Sequence, residues 1–385
     1  MATYKPLEYL EHLKKIVPDL SDQINNIKDT YENKLWHQLT KQIEMIIISP
    51  QLLEKKELFN FYTNFIRDFE NKLRPLSLVE ICIAVARQFD TDESRKFIET
   101  ISQKVKKDKS AYILTLSYIA NMNLRSGVAE QLQDCKKTLE LAKEELQGVT
   151  GLDTIVYSSF YRVSTDYHMA KSQASEFYKN ALMYLSYCKL ETISQEEQAS
   201  LAYNLCIAAL VGENVYGFGD LIANPILKAL EGSQHNWLIA FLKAFNIGDI
   251  QQFEGLMSQH RDIISTQTAI TNNMQKLRQK ISILSLLELA FRTPSDKRSI
   301  SFSKIAQATK LPLGEIEHLL MKSLSLNLIK GSIDQTVEII HITWVTPRIL
   351  DLNQINSMNN RIAEWTEKAK TSLRLVEDDT VDLVA

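Results

Sequence analysis

Ile300-Ser-Phe-Ser303, Lys304-Ile-Ala-Gln-Ala-Thr309, Leu311-Pro-Leu-Gly314 and Glu315-Ile-Glu-His-Leu-Leu-Met-Lys-Ser323 lead into two strand-like runs, Leu328 to Asp334 and Val337 to Val345. Ser303 opens a short helix, Pro312 and Gly314 break it, and Glu315–Ser323 stands where a recognition helix stands. The two runs, joined at Gln335-Thr336, read as the wing of a winged helix extending to about Leu350. A DNA reader needs cations at the start of the second helix and at the wing tip, because phosphate attraction supplies most of its affinity. Here the helix starts with Glu315 and Glu317, and the wing turn is Asp334-Gln335-Thr336. Seven Lys/Arg against five Asp/Glu between Thr293 and Leu350 make no basic stripe. The composition therefore predicts a module that binds protein.

Strand periodicity puts Ile340, Ile342 and Trp344 on one face of the second run, with Val337, Ile339 and Val345 on the other. A strand packed only on its own helices is wet on one side. This one is apolar on both, so its outer face is expected to be covered, either by another part of the same chain or by a neighbouring subunit. Each Ile or Trp covered there contributes about 1.5–3 kcal/mol. Ile340, Ile342 and Trp344 are the expected wing contacts, although the pattern leaves open which face points outward.

Before Thr293 strand signals are scarce, and apolar residues recur every three or four positions between short breakers. Asn71–Pro75 divides two such blocks, and Arg125-Ser126-Gly127 separates helix Tyr112–Leu124 from helix Val128–Leu146. Gly217 and Gly219 precede Leu221–Leu230, and Gly248-Asp249 divides Trp237–Phe245 from Ile250–Met257. Starts near Leu76, Tyr112, Leu152, Gln195 and Gln234 are 36 to 43 residues apart, the length of one antiparallel helix hairpin. The expected fold is mainly α: a right-handed helical-repeat solenoid, tetratricopeptide-like, capped by the winged helix through the apolar helix Ile281–Phe291. A long helix from about Leu352 to Leu373 follows. Its stripe of Ile355, Met358, Ile362, Trp365 and Ala369 suits bundling with helices of other chains or folding back on the solenoid. The expected divisions are an N-terminal helical segment (1–30), the solenoid (31–280), the winged-helix part (281–350), the bundling helix (351–375) and an acidic, frayed tail (376–385).

A chain of 385 residues with 45% hydrophobic and 24% charged residues is an ordinary folded protein of two or three domains. A net charge of -3 argues against general affinity for nucleic acid or anionic membrane. No apolar run reaches the roughly eighteen residues of a membrane span, and Met1-Ala-Thr-Tyr-Lys5 has no apolar signal core. The chain is expected in the cytoplasm and nucleus. Cys82, Cys135, Cys188 and Cys206 lie far apart among helical apolar neighbours and read as reduced core thiols.

Nothing in the chain marks catalysis. The seven histidines never fall at metal-ligand spacing with one another or with cysteine, and His318 reads as a surface or interface residue. Phosphate-cradling glycine loops and a G-x-S-x-G elbow are missing, and Gly217-Phe218-Gly219 is explained by a turn between helices. Glu144 and Glu145 read as solvated helix surface. No catalytic residue, metal, cofactor or small-molecule substrate is expected.

Several longer strings carry a resemblance. They include Lys34-Leu-Trp-His-Gln-Leu-Thr40, Pro75-Leu-Ser-Leu-Val-Glu-Ile81, Asn236-Trp-Leu-Ile239, Ala244-Phe-Asn246 and Gly248. Lys330-Gly-Ser-Ile-Asp334 with His341-Ile-Thr-Trp-Val345, Pro347-Arg348 and Asp351-Leu352 are the most specific. From about Tyr31 to Trp365 the chain resembles PCI-domain scaffold proteins, and among them the family of non-ATPase regulatory subunit 13 of the 26S proteasome. Phe218-Gly-Asp-Leu221 and Asn224-Pro225 depart mildly, since that family more often has Glu at Asp220 and His at Asn224. The resemblance implies a non-catalytic subunit of the regulatory-particle lid that supports ubiquitin-dependent degradation. Its implied neighbours are an adjacent PCI subunit, the MPN-domain subunits through a helical bundle, the ubiquitin-receptor subunit and the core particle. Two alternatives stand beside it. One is a scaffold of a sister complex of the COP9-signalosome kind. The other is a nucleic-acid-binding PCI protein, which needs Lys104, Lys106, Lys107 and Lys109, or the cations near Arg298, to gather into a patch.

Overall fold

The computed structural model describes residues 6–47, 49, 57–126, 129–294, 298–349 and 352–379, in two compact units, Met1–Thr192 and Ile193–Ala385. The first unit is built from paired helices. Pro75–Ala86 packs on Thr91–Val105, Lys109–Arg125 on Ala129–Gln147, and Thr154–Ala170 on Ala174–Tyr187. One helix of each pair touches the next in a row that runs Trp36–Ile47, Pro75–Ala86, Lys109–Arg125, Thr154–Ala170. This serial stacking is what repeats of about forty residues require, because a lone hairpin cannot bury its apolar face.

Local chemistry sets the breaks. Pro75 opens its helix at a position where the missing N–H costs nothing. Asp108 accepts from the Ala111 amide at 3.0 Å and starts the next pair. An aromatic cluster of Tyr31, Trp36, Phe65 and Phe69, with ring centroids 5.2 to 6.2 Å apart, fills the core near the first pairs. Cys82, Cys135 and Cys206 are buried, and burial pushes their thiols up to about 12, 11 and 12. Cys188 differs in being half-buried, with its Sγ 3.5 Å from the Tyr184 hydroxyl.

In the second unit Gln195–Val211, Trp237–Ile247 and Ile250–Gln259 continue the helical pattern. The expected helix Leu221–Leu230 is split into Gly219–Ala223 and a 3-10 turn Pro225–Leu230. Pro225 has no amide to offer the preceding turn, and the Asn224 side chain caps the Ile226 amide at 3.0 Å instead. Gly248 ends Trp237–Ile247 with φ of 72°, and a Cβ there would lie 2.7 Å from the Ser285 amide nitrogen. Glycine thus serves both the left-handed cap and the close helix approach.

Helix Met274–Arg292 is the hub of this unit, longer at both ends than the predicted Ile281–Phe291 and continuous across residue 280. From Lys280 to Glu288 it is buried on all sides, and it touches Gln195–Val211 and Trp237–Ile247 as well as the helices and last strand of the winged helix. The winged helix has strands β1 (Ser299–Ser301), β2 (Ile329–Asp334) and β3 (Ile339–Val345) in the order β1-β3-β2, both pairs antiparallel. Its helices are Phe302–Thr309 and Leu313–Ser325, so Leu313 and Gly314 belong to the second helix's first turn. Pro312 alone marks the break.

The wing differs from its sequence reading in one residue of register. Lys330 pairs with Trp344 but Gly331 pairs with Ile342, which leaves Thr343 as the extra residue of a β-bulge. The bulge resets the alternation of β3. Ile340 and Ile342, 0% and 4% exposed, fill the module's own core, while Trp344 turns outward at 39%. Ile340 and Ile342 are therefore withdrawn as wing contacts. The opposite face is wet, with His341 and Thr343 exposed and Ile339 and Val345 only half-buried, so the expected second apolar face does not exist. Val337 lies in the turn Gln335–Glu338, and Glu338 there takes φ of 50°. Gly331 is required at the bulge, because a Cβ would sit 2.1 Å from the His341 carbonyl oxygen.

Candidate assembly surface

The last helix runs Leu352–Asp379, 28 residues and about 42 Å long, six residues beyond its predicted end at Leu373. Residues from Thr380, including most of the predicted acidic tail, lie outside the described residues. The helix forms because the run contains no proline or glycine and is rich in Glu, Lys, Arg and Ala. Ile355, Met358, Ile362, Trp365 and Ala369 recur at alternating three- and four-residue steps and share one face. All five are exposed, Ile362 at 59% and Trp365 at 73%. Leu373 and Val376 extend the same side and are exposed too. The stripe does not fold back onto the rest of the second unit.

The helix is held at its root. Arg348 donates from Nη1 to Glu288 Oε2 at 3.0 Å and to the Asn246 carbonyl at 3.3 Å. The other Glu288 oxygen accepts from Arg292 Nε at 2.8 Å. Burial pulls the Arg348 guanidinium below its ordinary value, and Glu288 opposes that pull. Ile349 covers Gly219, where an added Cβ would meet the Ile349 Cβ at 2.6 Å. Thr346 takes the Leu328 carbonyl through both its amide and its hydroxyl, each at 2.9 Å. A strap of Thr346–Ile349 thus ties the outgoing helix to the buried hub.

The winged helix presents a second surface. Trp344 lies under the Lys330 ammonium, 5.2 Å from the ring centroid. Leu313, Met321 and Val337 are exposed on the second helix and the wing turn. Asp334 Oδ1 accepts from the Thr336 amide and hydroxyl and from the Val337 amide, and the Thr336 hydroxyl leads in holding that carboxyl below the usual range. Gln335 donates to Glu317 at 2.9 Å, so the wing tip is tied to the second helix among carboxylates. Elsewhere Lys104 pairs with Glu70 and Lys109 with Glu145, which spends half of the lysine cluster on neighbouring acids. Among the described residues no helix is long and apolar enough to cross a membrane.

Sequence reasoning missed Lys280. It is buried in the hub helix, and its Nζ donates to the carbonyls of Ala209, Leu210 and Gly212 at 2.6, 3.0 and 2.9 Å. Its three N–H groups serve carbonyls at the end of Gln195–Val211 that the helix leaves unpaired. The Phe218 ring lies 5.2 Å away and the Tyr216 ring 5.6 Å. Burial pulls the ammonium down to about 7. A lone lysine among Leu277, Ile281, Ile283 and Leu284 was the available signal.

Comparison with known proteins fits this architecture. Residues 23–242 match the family described as PSD13 N-terminal repeats, and residues 257–344 match the PCI domain. The chain belongs to the PSD13 family. Over 382 residues it is 40% identical to the 26S proteasome non-ATPase regulatory subunit 13 homolog A of Arabidopsis thaliana, covering 98% of this chain and 99% of that one. It is 31% identical to the 26S proteasome regulatory subunit RPN9 of Saccharomyces cerevisiae, over 92% of this chain and 91% of the yeast protein. A more distant relative is eukaryotic translation initiation factor 3 subunit M of Dictyostelium discoideum, 23% identical over 48% of this chain and 45% of that one. The PSD13 match ends within Trp237–Ile247, and the PCI match takes in the hub helix and the whole wing.

Proposed function

We propose that this PSD13-family chain is a non-catalytic scaffold subunit of the lid of the proteasome's regulatory particle, supporting lid assembly and ubiquitin-dependent degradation. The observation that carries the reading is the helix Leu352–Asp379, whose apolar stripe is exposed along its length while its root is fixed to the core. A stripe of this period is the seam of a helical bundle. The names of the relatives, proteasome regulatory subunits matched nearly end to end, supply the assembly. Ile355, Met358, Ile362, Trp365 and Ala369 form the bundle seam with neighbouring subunits, among them the MPN-domain pair. Trp344 with Val337 forms the wing contact to an adjacent PCI subunit. The helical repeats reach toward the ubiquitin-receptor subunit and the core particle. The chain works in cytoplasm and nucleus, without cofactor, nucleic acid or membrane. The expected boundaries at 280 and 375 both fall inside helices, so the winged-helix part is taken from Met274 and the bundle helix as Leu352–Asp379.

The acids at the second helix and wing tip, Glu315, Glu317 and Asp334, oppose a phosphate backbone and disfavour nucleic-acid binding. Affinity purification of the tagged chain from cells, with identification of the co-purifying chains, tests the assignment. Proteasome regulatory-particle subunits are the expected set. Recovery of a signalosome or a translation-initiation complex in their place overturns it.

A further inference from the structure

The row of helices in the first unit lines a cleft that assembly through the second unit does not use. Its volume is about 780 Å³. Arg87, Arg125 and Arg162 line it together with Phe89 and Tyr118, and Glu80 is its one acid among the described residues. Ile83, Leu114 and Val163 give it an apolar floor. A smaller cleft of about 400 Å³, lined by Lys41, Lys72 and Arg74, borders the same row at Trp36–Ile47 and Pro75–Ala86.

This lining holds three arginines against one glutamate. Arg87 caps the end of Pro75–Ala86 and Arg125 closes Lys109–Arg125, where a helix dipole favours positive charge. Arg162 stands mid-helix in Thr154–Ala170 and already has a partner within the fold. Neither Arg87 nor Arg125 forms an ion pair with a described residue, and both are exposed. Burial, with Glu44 beside it, holds the Glu80 carboxyl above the usual range, while Arg74 pulls the other way. The Tyr118 hydroxyl is buried there with no hydrogen-bond partner among the described residues.

We propose that this cleft docks an extended acidic segment of a partner protein, with carboxylates on Arg87 and Arg125 and apolar side chains on the floor between them. Guanidinium matches carboxylate in planar, paired hydrogen bonds, and an apolar floor gives an extended peptide's alternate side chains a place to bury. A nucleic-acid strand fits less well. Its continuous phosphates would pass Glu80 and Glu44, and the cleft lacks an unbroken line of cations.

The test uses the full chain and fluorescence anisotropy of a labelled peptide rich in glutamate and leucine. Its lysine-for-glutamate counterpart and a single-stranded RNA of similar length run beside it. The glutamate peptide is expected to bind saturably and more weakly as salt rises, and the lysine peptide not to bind. Arg87→Glu with Arg125→Glu should weaken binding about tenfold or more, whereas Lys171→Glu, an exposed cation outside the cleft lining, should not. Absence of saturable peptide binding, an unchanged affinity in the double arginine variant, an equal loss in Lys171→Glu, or tighter binding of the RNA through the same arginines overturns the proposal.

Discussion

Replacing Ile362 and Trp365 together by aspartate separates assembly from folding. In the free chain the two side chains are 59% and 73% exposed, so neither contributes much to the folded state. Surface changes of this kind usually move stability by less than about 0.5 kcal/mol, and aspartate adds about 0.7 kcal/mol or less per site in helix propensity. In a bundle the arithmetic reverses. Burying each side chain is worth about 1.5–3 kcal/mol, so the pair forfeits about 3–6 kcal/mol when removed. Two carboxylates placed in an apolar seam cost several kcal/mol more unless they find partners. A loss above about 5 kcal/mol is more than three orders of magnitude in affinity, by the rule of about 1.4 kcal/mol per decade. The assay is reconstitution: tagged parent or variant is added to extract depleted of the chain, and recovered regulatory-particle subunits are quantified. Circular dichroism and thermal melting of the isolated proteins run in parallel. The expected outcome is near-complete loss of recovery with an unchanged spectrum and a melting temperature within a few degrees. Full recovery of the subunits would refute the bundle seam. A large drop in melting temperature would show instead that the helix packs on its own chain.

Two further outcomes follow from the buried geometry of the second unit. Gly331→Ala places a methyl group against the His341 carbonyl at the bulge, and overpacking of that kind costs about 1–3 kcal/mol. A lowered urea midpoint with an unchanged m-value checks it, and parent-like stability would show that the bulge does not need glycine. Lys280 sets a pH dependence. Its folded value of about 7 lies below the unfolded value of about 10.4, so between the two the unfolded chain holds more protons and this group's contribution to stability rises with pH. Below about 7 both states are protonated and the contribution is flat at its lowest. The parent minus Lys280→Met difference in unfolding free energy should climb from about pH 7 to about pH 10, by at most about 1.4 kcal/mol per pH unit. A flat difference across that range would refute the assignment.

Much of the helical architecture was legible because its punctuation is local. Pro75, Gly248 and the three-and-four spacing of apolar residues act within one or two turns, and the observed helices begin and end near them. The winged helix was equally readable as a succession of elements. Its faces were not, because strict alternation holds only while each residue opposes one partner, and Thr343 opposes none. One extra residue sent Trp344 outward and left Ile340 and Ile342 inside. Gly331 was quoted only as part of a string, although its missing side chain is what admits the bulge. The last helix was read as ending at Leu373 because Glu377-Asp378-Asp379 looks like an acidic tail, yet Leu375 and Val376 carry the helix onward. Lys280 escaped notice, and Arg348 was quoted only as part of a string, for a different reason. Their partners are carbonyls and a carboxylate about 60 to 100 residues distant, and no spacing rule reaches that far.

The strap at Thr346–Ile349 gives the last helix a lever's footing. Through Arg348 and Glu288 the strap fixes the chain to the hub helix, just ahead of a helix about 42 Å long. Between Lys280 and Glu288 the hub helix is hemmed in on every side. Thr346 binds the Leu328 carbonyl beside β2 and Arg348 binds the Asn246 carbonyl, so a pull on the strap reaches the wing and Trp237–Ile247 together.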